Sequence, residues 1–220
     1  MSAPSNERIG RAELYLPDSA ERDDLGAFTA RVVRLDQGAM VRLRAAAGRV
    51  VAWAPTPFDV LVSRAVVGDL HPADLTVAAN ELLATLAVVR ESRLDPGARM
   101  DGRWLTELPP GSGWRTVEEV PARELATLAD QGIALAREHG GPHGNPPARL
   151  LDQTVLRVAG DGMRVQVPLR CLFALSGMGF IGADGERDMV RVSATDSWLR
   201  LDARYGAVLR RRHALLPLLF

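Results

Sequence analysis

The order in which glycine and proline punctuate the apolar runs constrains this fold more than any other feature of the chain. Val41 and Leu43 alternate with arginines, Gly48 interrupts, Val51 and Trp53 follow, and Pro57 and Gly68 come next. Further on, Val155 and Val158 lead to Gly162, Val165 and Val167 follow, and then come Pro168 and Gly182. A shift of 114 residues lays Gly48 on Gly162, Val51 on Val165, Trp53 on Val167, Leu61 on Leu175 and Gly68 on Gly182. Only four of the 21 positions from 48 to 68 are identical, so the agreement lies in the pattern. Alternation is the period of a half-buried strand, a mid-run glycine supplies a turn, and proline suits the first position of a helix that a later glycine ends. The pattern predicts an α+β fold with two similar helix–hairpin–helix–strand lobes from an internal duplication.

Other local signals fill in the lobes. Asp18 with Glu21 three residues later fits a helix start, and Leu25, Phe28, Val32 and Leu35 lay one apolar stripe along it. Thr56, Pro57 and Asp59 have the chemistry of a helix N-terminus, with Phe58, Leu61, Ala65 and Val66 as its stripe. Residues 72–90 read either as a strand 75–79 followed by a helix or as one helix from Pro72. The chain then divides into a disordered tail 1–11, an N-terminal lobe 12–92, a Pro- and Gly-rich linker 93–120 and a C-terminal lobe 121–220. The second lobe holds a helix over 121–137, a loop over 139–147, the second hairpin and its helix, and strands around Val190–Val192 and Trp198–Leu201.

Composition excludes several partners and chemistries. With 220 residues, 47% of them apolar and 25% charged, the chain can bury a core of ordinary size. The 27 basic side chains, all arginine, balance 27 acidic ones, so no net field draws it to anionic surfaces. The arginine bias fits a GC-rich coding genome. A lone cysteine, Cys171, rules out an intramolecular disulfide and a cysteine metal cage. Absence of an apolar leader or of any stretch approaching a membrane span points to the cytoplasm.

Gly177-Met-Gly-Phe-Ile-Gly182 spells a dinucleotide fingerprint, but a polar turn with three acids follows where a helix should open. His139 and His143 have metal-ligand spacing, yet Gly-Gly-Pro separates them. Cys171 sits among Leu169, Leu172 and Phe173, the setting of a buried, inert thiol. No catalytic residue, cofactor or metal site is therefore expected. Arg210, Arg211 and Arg212 form the strongest charge run and are the candidate phosphate contacts. Arg42, Arg44 and Arg49 read as a solvated hairpin face.

The phrases Trp53-Ala-Pro-Thr-Pro-Phe-Asp-Val-Leu-Val62 and Ala194-Thr-Asp-Ser-Trp-Leu-Arg-Leu-Asp-Ala203 resemble conserved actinobacterial proteins of unknown function, a resemblance that implies no activity. The expected function is that of a non-enzymatic binding or regulatory protein acting through protein interfaces, including a homodimer. Leu215, Leu216, Leu218, Leu219 and Phe220 are the candidate interface, because so apolar a segment calls for cover. Nucleic acid is not expected as a partner at zero net charge, nor is a membrane. Nucleic-acid binding through Arg210–Arg212 and an enzyme with a cleft between the lobes are the alternatives.

Overall fold

The computed structural model describes residues 12–139, 146–181 and 187–212. The expected tail 1–11, most of the loop 139–147, and the apolar segment 213–220 lie outside them. Strands make up 38% of the described residues, so sheet decides the architecture. The chain separates into two compact units, residues 1–54 with 64–105 and residues 55–63 with 106–220.

In the first unit, β1 (Glu13–Tyr15) leads into α1 (Ser19–Leu35). Asp18 caps this helix by accepting from the Glu21 amide at 3.0 Å. The reciprocal half of a capping box is missing, because the Glu21 carboxylate accepts from the Val67 amide instead. Leu25, Phe28 and Val32 are buried, as the stripe requires, while Leu35 at the end stays partly exposed. The hairpin follows as β2 (Met40–Ala46) and β3 (Arg49–Pro55). Its turn residues Ala47 and Gly48 both have positive φ, 51° and 73°, the twist that suits a two-residue hairpin loop. Next come β4 (Leu61–Val67), of which Arg64–Val67 belong to this unit, then β5 (Asp69–His71), β6 (Asp74–Ala78), α2 (Ala79–Val88) and β7 (Arg93–Leu94). Residues 72–90 thus take the strand-then-helix form. Leu43 lies opposite Ala52 on one side and Leu75 on the other, all fully buried, and α1 packs on α2.

The second unit holds β8 (Arg115–Pro121), α3 (Ala122–His139), α4 (Ala148–Leu151), β9 (Thr154–Gly160), β10 (Met163–Pro168), α5 (Leu169–Gly177), β11 (Met189–Ala194), β12 (Trp198–Ala203) and β13 (Gly206–Arg211). Residues 61–63 of β4, which belong to this unit, pair with β13, and β12, β11 and β8 follow β13 in that order. The hairpin β9–β10 turns at Asp161 and Gly162, again both left-handed. Helix α5 is buried along Leu169–Leu175, and α3 packs on it so closely that a Cβ at Gly132 would overlap Leu169.

The helix–hairpin–helix–strand lobe does not survive. Both hairpins form, but the 114-residue shift lays helix α5 on residues 55–63, a turn and the first residues of strand β4. Residues 56–59 make a turn, with Asp59 at φ 57°, a conformation that no helix interior accepts. Beyond it, Val60, Val62, Val66 and Val67 favour an extended chain, and the backbone of Leu61–Ser63 finds partners in Ala207–Leu209. The three-and-four spacing of Phe58, Leu61 and Ala65 was therefore a coincidence within a strand buried on both faces over Leu61–Ser63. What the two units share is a helix followed by three sequence-adjacent strands: α1 with β2, β3 and β4, and α5 with β11, β12 and β13. Residues 93–120, expected to be linker, include β7, a 3-10 turn at Asp101–Arg103 and most of β8. No described helix is long and apolar enough to cross a membrane.

Candidate functional site

A groove of about 420 Å³ opens in the second unit where three strands meet the turn before β4. Sheet register builds its floor. Leu61 pairs with Leu209, and Trp198 pairs with Arg211 on the next strand, so three apolar side chains and one guanidinium converge. Pro55 and Val60 add to the apolar wall; Thr56, Asp59, Thr106, Glu107, Arg210 and Arg211 form the polar rim. Arg211 lies 5.8 Å from the centre of the Trp198 ring and is ion-paired with Glu107.

The turn on one side of the groove is tied down at several points. The Thr56 amide and hydroxyl both donate to the Val60 carbonyl at 3.0 Å, and the Asp59 amide donates to the Thr56 carbonyl at 3.1 Å. Phe58 packs edge-on against Phe173, with ring centres 5.8 Å apart. Arg170 supplies the strongest tether. Its side chain is only 7% exposed. It donates through Nη1 to the Phe58 carbonyl at 2.8 Å and to Asp59 at 3.2 Å. Nε and Nη2 reach Asp152 Oδ1 at 3.1 and 2.7 Å, and Arg210 donates to the same oxygen at 3.1 Å. Arg210, Asp152, Arg170 and Asp59 thus form one chain of charges running from β13 to the turn. Burial pushes the Asp152 carboxyl up, but the hydrogen bond and charge of Arg170, then those of Arg210, outweigh it and leave the group below the usual carboxylate range.

The three candidate phosphate contacts are placed very differently from one another. Arg210 and Arg211 are held by Asp152 and Glu107, whereas Arg212 donates to the backbone carbonyls of Thr195 and Arg164, at 2.7 and 2.9 Å. Leu215, Leu216, Leu218, Leu219 and Phe220 fall outside the described residues, as do Gly182 and His143. Gly177 ends α5 instead of preceding a helix, so the fingerprint lacks the strand-to-helix turn that would cradle a pyrophosphate. Among the described residues, no group of three His, Cys, Asp or Glu side chains is placed to hold a metal ion. Arg42 and Arg44, on the other unit's hairpin, are engaged by Asp74.

Cys171 is fully buried, and burial pushes its thiol up to about 12 against the pull of Arg210 and Arg170. A thiol-specific reagent at neutral pH should leave the folded protein unlabelled and modify it stoichiometrically once denaturant is added. Fast labelling of the native chain would show the thiol to be reachable.

Sequence reasoning missed Trp198, Asp152 and Arg170 as parts of one site. Arg170 did leave a signal. A charged residue inside the apolar run Leu169–Leu175 has to find partners when the helix is buried on all sides.

The architecture is that of the DNA polymerase sliding clamps. Among solved structures, the chain is similar to the Caulobacter crescentus DNA polymerase III beta (TM-score 0.58, 15% identity, covering 93% of this chain and 66% of that one). It is equally similar to a putative DNA polymerase III beta subunit from Eubacterium rectale (0.60, 12%, 93% and 65%) and to the Bacillus subtilis sliding clamp (0.59, 11%, 93% and 65%). The chain spans just under two thirds of the length of these proteins, and at such identities the likeness is one of fold. Family models described as Domain of unknown function (DUF8010) and Domain of unknown function (DUF8185) match residues 10–106 and 109–215. No curated protein matches the chain.

Proposed function

We propose that this chain is a non-enzymatic protein-binding module that receives a short, extended segment of a partner protein in the Trp198 groove. The groove itself carries the reading. A narrow apolar floor of Leu61, Trp198 and Leu209 inside a charged rim suits one or two apolar side chains flanked by backbone and polar groups. An aromatic ring with an arginine over it is also the composition in which binding energy concentrates. The test is selection of short displayed peptides on the full-length protein, followed by titration of the best binder. Trp198→Ala should weaken that binder at least about 30-fold, the size expected of a central aromatic anchor. A melting curve of the variant separates loss of the groove from loss of the fold. Peptides that bind wild type and Trp198→Ala equally would refute the groove.

A second reading, nucleic-acid binding, has one observation in its favour. The earlier expectation against nucleic acid finds no support beside a likeness to DNA polymerase clamps. Binding to generic duplex DNA should then fall steeply with salt and depend on Arg210–Arg212. Self-association, the other partner expected from the sequence, is read directly by sedimentation of the chain with and without residues 213–220.

A further inference from the structure

Next to the groove lies a second pocket of about 350 Å³, lined by Arg164, Gln166, Pro168, Leu199 and the run Arg210–Arg212. Two of its arginines carry charge that no carboxylate meets among the described residues. Arg212 spends two donors on backbone carbonyls, whose dipoles orient a guanidinium without neutralising it. Arg164 is exposed on β10, and its guanidinium has no hydrogen-bond or ion-pair partner among the described residues. The Gln166 side chain, on the same face of β10 two residues along, is a further polar group there. Arg210 and Arg211 border both the pocket and the groove, so the two are contiguous.

We propose that this pocket is the anion subsite of the groove and takes the carboxylate of an acidic side chain in the bound segment. The proposal rests on the peptide reading of the groove. Charge complementarity selects the occupant, because an isolated pair of unneutralised guanidiniums can hold one carboxylate through charge-assisted, forked hydrogen bonds. A nucleic-acid backbone is a poorer match. It presents a phosphate at every nucleotide, whereas Arg210 and Arg211 are already engaged by Asp152 and Glu107, and Asp59 and Glu107 on the groove rim repel a continuous polyanion.

The test uses the peptides selected on the full-length protein. The binders should share an Asp or Glu at a fixed distance from the apolar anchor. For the tightest one, replacing that acid by its amide should cost about tenfold in affinity toward wild type, the size of one charge-assisted hydrogen bond. Toward Arg164→Gln, acid and amide peptides should bind alike. Arg164 is the position to change because no described residue leans on its side chain. Binders that need Trp198 but carry no acid, or an acid whose removal costs the same in both proteins, overturn the subsite and leave the groove reading standing. A selection that returns no Trp198-dependent binder defeats both. Duplex DNA that binds wild type and loses affinity in Arg164→Gln would assign the pocket to phosphate and also overturn the proposal.

Discussion

Gly160→Ala should lower the melting temperature by roughly 6–12 °C. Gly160 ends β9 against β8, and a Cβ built there overlaps the Val117 carbonyl oxygen and approaches its carbonyl carbon at 3.1 Å. A flexible side chain could swing away from such a contact. The Val117 carbonyl belongs to a strand whose next residues pair with β11, so one of the two strands has to shift. Overpacking of this kind costs on the order of 3 kcal/mol. The matched control is Gly26→Ala in α1, where nothing lies within 4 Å of the new methyl. There, helix propensity alone should act and stabilise the chain by about 0.5–1 kcal/mol. Thermal unfolding of the two variants checks both, and equal melting temperatures would show that the β8–β9 approach is not tight in solution.

Arg170→Met should lower stability by about 2–3 kcal/mol at neutral pH and weaken ligand binding at the groove as well. Methionine fills much of the arginine's volume, so the loss is chiefly one of hydrogen bonds to Phe58, Asp59 and Asp152, each charge-assisted. Asp152 and Asp59 are 52% and 86% exposed and regain water, which keeps the cost below that of a fully buried pair. The consequence for binding follows from position, since the turn that Arg170 holds is one wall of the groove. The pH dependence has a definite sign. Asp152 is held below the usual carboxylate range in the folded state, so the stability it contributes is present above the unfolded value of about 4 and is lost as pH falls through the lower folded value. The gap between wild type and Arg170→Met should therefore be constant near neutrality and shrink in acid below about pH 4. A gap that is unchanged there would mean that Asp152 is not the partner that matters.

Both variants concern features that a one-dimensional reading is poorly equipped to see. Gly160 looks like an ordinary strand glycine until β8 is laid against it, and Arg170 looks like a stray charge in an apolar helix. Trp198 was read only as a strand residue, because its neighbours in the groove come from residues 55–61, 106–107 and 209–211.

Short-range chemistry was legible. The cap at Asp18, the stripe Leu25, Phe28, Val32, the two hairpins at Gly48 and Gly162, and the helix after Pro168 all depend on residues within a few positions of one another. Their sequence signals are those of backbone conformation and period, which act before the chain has folded. The segment 56–67 was decided otherwise. Its helix-start residues and its β-branched valines pull in opposite directions, and the extended form wins because Leu61–Ser63 gain backbone partners in a strand almost 150 residues further on. The same pairing brings Leu61 to Leu209 and sets both beside Trp198. The sequence by itself determined which residues turn, cap and alternate. Only the tertiary structure decided which strands are neighbours, and hence where the groove and the arginine-lined pocket beside it lie, because sheet pairing is a long-range interaction that no local pattern encodes.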